Sequence, residues 1–293
     1  MFLANDQESL YHNVAGVVII YHPPTSILSG VMSYLDQIQK LYIIDNSTAC
    51  NQELINQLIL VDKVEYISNY GNKGIAYALN QSCLRAIHDG FTWILTMDQD
   101  SSFDPSNFSR FLTHLKSKEN LIEKVGIFSP YHVINDNVDN NNVDYEKVKV
   151  AMTSGNILNL RAFSIVGNFK EKLFIDYVDH EYCLRLRKFG YEVIQCNKVH
   201  LRHHLGNSQR YTILRMTATH HNYIRRYYIT RNRLYVIWRY KSFDTFYCVK
   251  EFFLLMTDMV KIGLVERDKL KKIRSVIYGV KDFLIGRYGE YHY

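Results

Sequence analysis

Asp98 and Asp100 flank a single residue, Gln99, in the stretch TMDQDSSF, directly after the apolar run Trp93 to Met97. Two carboxylates so spaced at a strand exit can reach one site, and a pair of hard oxygen donors suits Mg²⁺ or Mn²⁺, which fill their shells with water and phosphate oxygens. The same residues also read as a plain turn ahead of Asp104-Pro105, and spacing alone leaves both readings open. Three more polar groups follow apolar runs: Asp45-Asn46-Ser47, Asn69 to Gly74, and Ser129-Pro130. Ligands of open α/β sheets gather beyond the carboxyl ends of strands, so these groups would share one rim. Asn69, Asn72, Lys73 and Gly74 could simply start a helix, or could bring backbone N–H groups and a lysine to an anion. Neither GxGxxG nor the phosphate-loop lysine motif occurs.

A second acidic group lies in LFIDYVDHEYCLRLRKFGYEV, where Asp176, Asp179 and Glu181 head a helix expected to run to Phe189 and close at Gly190. The helix dipole favours acids in a first turn, so stability alone could explain them. One could instead be a general base; Asp179 begins the helix, with Glu181 and Arg185 set to orient it or balance its charge. His200, His203 and His204 precede Gly206. Isolated histidines are more often packed or exposed bystanders, but a single one could join Asp100 on a metal.

The elements that must position these residues follow from hydrophobic periodicity. Val14 to Tyr21, Leu41 to Ile44, Val64 to Ser68 and Trp93 to Met97 read as strands. Between them, Ile27, Val31, Leu35 and Ile38, then Leu54, Leu58 and Ile59, then Ile75, Leu79, Cys83 and Ile87 recur at helical spacing, the last set ending at Gly90. That alternation predicts a parallel α/β sheet. Asp104-Pro105 reads as an N-cap and first helical residue, with Phe108, Phe111, Leu112 and Leu115 inward. Asn135 to Glu146 reads as a surface loop, and helical patterns fill Thr219 to Tyr240, Asp244 to Ile262 and Glu266 to Ile285.

Composition narrows the function classes. With 293 residues, 47% of them hydrophobic, the chain can bury a sizeable core. Its five cysteines are scattered without a CxxC pair, which argues for reduced thiols over a disulfide framework or zinc ribbon. The first residues lack a secretory leader, so a cytoplasmic location is expected. Charge is segregated: residues 1–205 hold 18 Lys and Arg against 22 Asp and Glu, residues 206–293 hold 17 against 7. The apolar stretch Phe246 to Val265 is broken by Lys250, Glu251, Asp258 and Lys261 and fails as a membrane span. Tyr223 to Tyr240 mixes Arg225, Arg226, Arg231, Arg233 and Arg239 with Tyr227, Tyr228, Tyr235 and Trp238. That mixture suits the interface of an anionic membrane and also RNA, against the bland alternative of a packed helix with Tyr and Trp buried and its arginines wet.

Taken in order, VVIIYHPP, IIDNS, NYGNKGIAYALN, TMDQDSSF, TSGNILNLRAFSIVGNFKEKLFIDYVDHEYCLRLRKFGYEV, HHLGN and RRYYITRNRLYVIWRY resemble family 2 of the inverting GT-A glycosyltransferases, and most closely its bacterial rhamnosyltransferase branch. The resemblance covers most of the chain. It implies a Rossmann-like nucleotide-diphospho-sugar transferase fold over 1–205, split into a nucleotide-binding half (1–130) and an acceptor-side half (131–205). A basic, aromatic-rich helical region would occupy 206–293. Asp45 would contact the base, and Asn69, Asn72, Lys73 and Gly74 would line the nucleoside pocket. Asp98 would hold ribose or metal, Gln99 would lie against the donor, and Asp100 would be the principal ligand of Mn²⁺ or Mg²⁺, with His203 completing the site. Thr153, Ser154 and Gly155 would floor the sugar, and Asp179 would be the base. One departure is Val178, where the family usually has Glu. The donor implied is dTDP-rhamnose, with galactofuranose or another hexose as alternatives; the acceptor is a lipid-linked saccharide of a growing cell-surface polysaccharide or O-antigen. The protein would work at the inner face of the plasma membrane, with a membrane carrying that lipid-linked acceptor as the preferred partner of Tyr223 to Tyr240 and no nucleic-acid partner. A nucleotidyltransferase would share the paired acids but usually carries a Gly- and Lys-rich loop where this chain has His22-Pro23-Pro24. A non-catalytic sugar-nucleotide binder would not need both Asp100 and Asp179.

Overall fold

The continuous apolar runs of the first hundred residues become neighbouring parallel strands, as strands covered on both faces require. A computed structural model describes residues 13–116, 123–133, 143–203, 209–211, 216–218 and 221–292, apart from the side chains of Pro105, His203, 209–211 and 216–218. Strands β1 (Val14–Ile20), β2 (Lys40–Asp45), β3 (Val64–Ser68) and β4 (Trp93–Asp98) pair in the order β3-β2-β1-β4. Helices α1 (Ile27–Met32), α2 (Gln52–Leu58) and α3 (Ile75–His88) connect them. The single helix expected from Ile27 to Ile38 is split, because α1 stops at Met32 and Leu35–Gln37 forms a 3₁₀ turn. Ser29-Gly30 is a weak helical centre, and Gly30 lies where a Cβ would meet the Ser101 carbonyl at 3.1 Å. All four apolar residues of that stretch are still buried. Ile59, expected inward, is the exposed C-cap of α2, whose buried face is Leu54, Ile55 and Leu58.

Beyond β4 the sheet is mixed, so the all-parallel expectation holds only as far as Asp98. The elements are β5 (Ser101–Phe103), α4 (Pro105–Lys116), β6 (Val125–Val133), β7 (Tyr145–Lys147), β8 (Asn156–Asn159), α5 (Leu160–Val166), α6 (Val178–Lys188) and β9 (Glu192–His203). The sheet continues β4-β8-β6-β9-β5, with β8 antiparallel to both neighbours and β7 paired to β9. β6 runs on past Pro130, where the expected strand ends, and its register shifts between Pro130 and Tyr131. A residue without an N–H cannot complete the ladder there. Phe103, Phe108, Phe111 and Phe128 form the core under α4, with Phe111 stacked on Phe128 at 4.8 Å. Leu112 is only partly buried. Tyr145 and Glu146, read from sequence as loop, lie in β7; residues 135–142 of that loop fall outside the described residues.

The chain forms two compact units, Met1–Phe169 with Tyr182–His204, and Lys170–Glu181 with Leu205–Tyr293. The second holds α7 (Tyr223–Tyr240), α8 (Thr245–Leu264), α9 (Lys269–Leu284) and the short pair β10 (Gln209–Tyr211) and β11 (Met216–Ala218). Asn222 caps α7 by accepting from the Arg225 N–H at 2.7 Å, and Asp244 caps α8 from the Tyr247 N–H at 3.0 Å. The interior of this unit is polar. Arg231 and Asn232 are fully buried; Glu266, also buried, pairs with Arg226 and takes the Lys272 ammonium at 2.8 Å. Arg233 reaches Glu251 at 3.3 Å and Asp258 at 2.9 Å. Three of the five arginines of α7 are therefore interior beside the buried rings of Tyr227 and Tyr228, while Trp238 is 64% exposed, so the expected packed helix keeps its buried tyrosines but not its wet arginines or a buried Trp238. The five cysteines form no disulfide among the described residues. Among those residues no helix is long and apolar enough to cross a membrane.

Two substitutions test this interior. Glu266→Gln leaves two buried cations around a neutral amide and is expected to cost about 3–5 kcal/mol in urea unfolding of the full chain. Gly279→Ala would place a Cβ 2.8 Å from the Tyr227 carbonyl; after the gain in helix propensity a net loss of about 1–2 kcal/mol is expected in the same assay.

Candidate functional site

Strand order reverses direction at β1, with β2 and β3 on one side and β4 on the other, and crevices at such reversals are where open α/β sheets take ligands. Parallel register sets Ile19 beside Asp98, Ile20 beside Asp45, and Asp45 beside Ser68, so the carboxyl ends form one aligned rim. Asp98 is half-buried and its N–H donates to Ser154 Oγ at 3.1 Å; Asp100, two residues on, is exposed. Between them Gln99 clasps the backbone of Tyr21, accepting its N–H at 2.8 Å and donating to its carbonyl at 3.2 Å. The amide expected against the donor thus braces the exit of β1 against the Asp98–Asp100 turn. His22 follows with φ 46°, its N–H donating to Ser47 Oγ at 2.7 Å. A left-handed non-glycine residue at a strand end marks a constrained rim. Ser47 was named in the sequence as part of the rim group Asp45-Asn46-Ser47, whereas His22 was given no role at the site, although His-Pro-Pro directly after a strand was the available signal.

Asp45 is 1% exposed, and its carboxylate accepts from the Ser47 N–H at 2.7 Å and the Tyr66 hydroxyl at 2.8 Å. Burial, reinforced by that carboxylate, holds the Tyr66 hydroxyl above the ordinary phenol range. Asn69 is tied to the same corner: its N–H donates to the Asp45 carbonyl at 2.8 Å and its side chain to Asn46 Oδ1 at 2.8 Å. Asn72 Oδ1 accepts from the Gly74 N–H at 2.9 Å, and Gly74, at φ 84°, opens α3. The loop is built by Asx chemistry and left-handed turns, with Lys73 exposed on it.

Under Asp98, Thr96 Oγ1 donates to the Thr153 carbonyl at 2.6 Å, the Gly155 N–H donates to the Thr96 carbonyl at 2.7 Å, and His132 Nε2 lies 2.6 Å from the Ser154 carbonyl. Gly155 sits at φ 80°, and a Cβ there would fall 2.7 Å from Leu201 Cδ2 and 2.8 Å from Pro130 Cγ. Backbone conformation and space both demand glycine. The structure therefore joins Asp98, Ser154 and Gly155 into one floor, with His132 a member the sequence reading missed. His203 pairs through its backbone with Ser101, the residue after Asp100; its side chain lies outside the described residues. Among the described residues no three His, Cys, Asp or Glu side chains cluster, so the fit to a cation rests on Asp98 and Asp100, whose hard oxygens match Mg²⁺ or Mn²⁺.

Asp179 belongs to the second unit, in a segment with unusual backbone. Phe174, Asp176 and Tyr177 adopt φ of 66°, 60° and 62°. They are held by Asn232, whose Nδ2 lies within 3.0 Å of the carbonyls of Leu173, Ile175 and Asp176, and by Arg231, which donates to the Leu173 carbonyl at 3.1 Å. Phe174 stacks on Tyr228, and the Tyr177 hydroxyl donates to Glu251 at 2.6 Å. Asp176 Oδ1 accepts from Arg225 Nε at 3.1 Å, while Oδ2 is buried without a hydrogen-bond partner. Burial pushes the Asp176 carboxyl up, Arg225 opposes this, and the nearby charge of Asp179 adds to it. Asp179 follows in the first turn of α6, half-buried, with Oδ1 accepting from the His180 N–H at 2.8 Å. The neighbours expected to orient it are engaged elsewhere. Glu181 accepts from the Tyr240 hydroxyl at 2.8 Å, and Arg185 donates to the carbonyls of Val166, Gly167 and Asn168 at the end of α5. Val178 is buried, so an apolar side chain fills the place of the family's Glu.

Residues 17–188 match the sequence profile of Glycosyl transferase family 2. The dTDP-rhamnosyl transferase RfbF of Shigella flexneri is 26% identical over 296 residues, covering 96% of this chain and 98% of that protein. Among solved structures, S. aureus TarS superposes with a TM-score of 0.60 at 11% identity, over 93% of this chain and 49% of TarS. GalNAc-T7 with UDP, GalNAc and Mn²⁺ superposes with 0.54 at 10% identity, over 69% of this chain and 46% of that one. The chain spans about half the length of those two structures, and at such identities they establish the fold, a GT-A sheet. With the profile covering more than half of its length, the chain belongs to glycosyl transferase family 2, close to rhamnosyltransferases.

Proposed function

We propose that the chain transfers L-rhamnose from dTDP-rhamnose, with inversion, to a hydroxyl of a lipid-linked saccharide in the assembly of a cell-surface polysaccharide. The observation carrying this reading is the pair Asp98 and Asp100 at the strand reversal, braced by Ser154 and Gln99, in a chain similar over nearly its whole length to a dTDP-rhamnosyl transferase. Asp45 and Asn69 flank the base side of the rim, each keeping acceptor capacity beyond its protein contacts. The Asn72–Gly74 turn and Lys73 lie on the nucleoside side, and Thr153, Ser154 and Gly155 lie beneath the sugar. Asp98 and Asp100, with His203, would hold Mg²⁺ or Mn²⁺. When bound, that ion supplies positive charge against the charge developing on the departing diphosphate. Asp179 accepts the proton of the acceptor hydroxyl as its oxygen bonds to the anomeric carbon; the bond to dTDP breaks with its electron pair on the phosphate oxygen.

A panel of dTDP-, UDP- and GDP-sugars, with Mn²⁺, Mg²⁺ or EDTA, tests the donor and the metal together. Nucleoside diphosphate release is expected from dTDP-rhamnose, lost with EDTA and in Asp100→Ala; turnover of another sugar alone would replace the donor assignment. Asp179→Asn is expected to lower transfer by about 10²–10⁴-fold while donor affinity holds within a few-fold. Loss of donor binding in that variant would make Asp179 a structural residue instead.

A further inference from the structure

The helical unit carries an apolar surface that its own interior does not use. α8 buries Tyr247, Leu255 and Ile262 and turns Phe246, Val249, Phe253, Met256 and Val260 outward, a single stripe by helical spacing. Phe246 is 76% and Phe253 63% exposed. α9 repeats the pattern with Leu270, Ile277 and Leu284, all exposed at seven-residue intervals. A groove of about 520 Å³ takes Met256 from the α8 stripe, Ile277 and Leu284 from the α9 stripe, and Lys281. Contiguous exposed apolar surface of this extent marks a contact with something.

Charge says with what. Lys250 lies one helical turn from both Phe246 and Phe253, Arg274 one turn from Leu270, and Lys281 one turn from Ile277. Across 241–292 the exposed charges are basic except Asp268 and Glu290, because Glu251, Glu266 and Asp282 are buried and Asp244 and Asp258 half-buried. We propose that this face of α8 and α9 docks on an anionic phospholipid bilayer, its apolar stripes entering the acyl boundary while the flanking cations meet headgroup phosphates. A second copy fits less well, since a two-fold contact would set Lys250, Arg274 and Lys281 against the same cations of its partner. The membrane surface is thereby assigned to α8 and α9 and not to α7, whose Arg226, Arg231 and Arg233 are interior.

The test is flotation of the full chain with phosphatidylcholine vesicles, with and without about 30% phosphatidylglycerol, at low and high salt. Wild type is expected to float with the anionic vesicles only, and less at high salt. The double variant Phe253→Ser/Leu270→Ser is expected to lower partitioning about tenfold or more, and Arg274→Glu/Lys281→Glu to remove the preference for anionic lipid. Absence of flotation at low salt would overturn the proposal, as would flotation unchanged in both variants. A dimer in gel filtration that the serine variant splits would assign the face to a second copy instead. All four positions are exposed, so far-UV circular dichroism is expected to be unchanged. Diphosphate release measured without vesicles reads the donor reaction separately and is expected to be the same in the variants and wild type.

Discussion

The parallel pairing of β1 with β4 is the constraint from which the donor side of the molecule follows. Because β2 and β3 extend the sheet from one edge of β1 and β4 takes the other, the connections diverge and leave a crevice at their carboxyl ends. The register that sets Ile19 beside Asp98 also fixes where the Asp98–Asp100 turn begins. Gln99 then clasps Tyr21 across that gap, so the turn and the exit of β1 are one rigid piece. Thr96, two residues before Asp98, anchors the Thr153–Gly155 floor. Each of these contacts would be lost if β4 slipped by one residue, since every side chain on the strand would change face.

The second unit answers a different demand, the ordering of a strained segment. Three non-glycine residues in left-handed backbone between Phe174 and Tyr177 cost about 1 kcal/mol each. The Asn232 and Arg231 contacts to the carbonyls of that segment, at about 1 kcal/mol per hydrogen bond, offset this. A polar interior is the price of that arrangement: Asn232 and Arg231 can reach those carbonyls only from within the helices, so each buried cation nearby must find a buried acid. Glu266 between Arg226 and Lys272, and Glu251 beside Arg233, are those acids.

Much of the first unit was legible because its signals are local. Four strands and three following helices were readable from apolar periodicity, and β3 coincides with the reading Val64 to Ser68. The failures have physical causes. Gly30 faces the Ser101 carbonyl, a tertiary contact that periodicity cannot register. β8 runs antiparallel, and direction leaves no mark in four buried residues. At the site, Asp98, Ser154 and Gly155 are joined in space as their motifs suggested, whereas Gln99, His22 and His132 act through backbone groups that side-chain chemistry does not announce. The arginines of α7 misled most, since a buried Arg231 and a surface arginine look the same until the carbonyls, amide and hydroxyl it meets are placed.

The second unit is discontinuous in sequence: twelve residues, Lys170–Glu181, sit among helices that begin about forty positions later. The helical region is therefore no appendix to a finished catalytic domain. A chain ending near residue 205 would lack Asn232, Arg231, Tyr228 and Arg225, which are the partners of the turn leading into Asp179. Until α7 has been made, nothing in the chain holds that segment in its left-handed backbone. Drift in the helical region is accordingly tied to drift around the carboxylate, and a helical region grafted from a relative would bring its own version of the clamp with it.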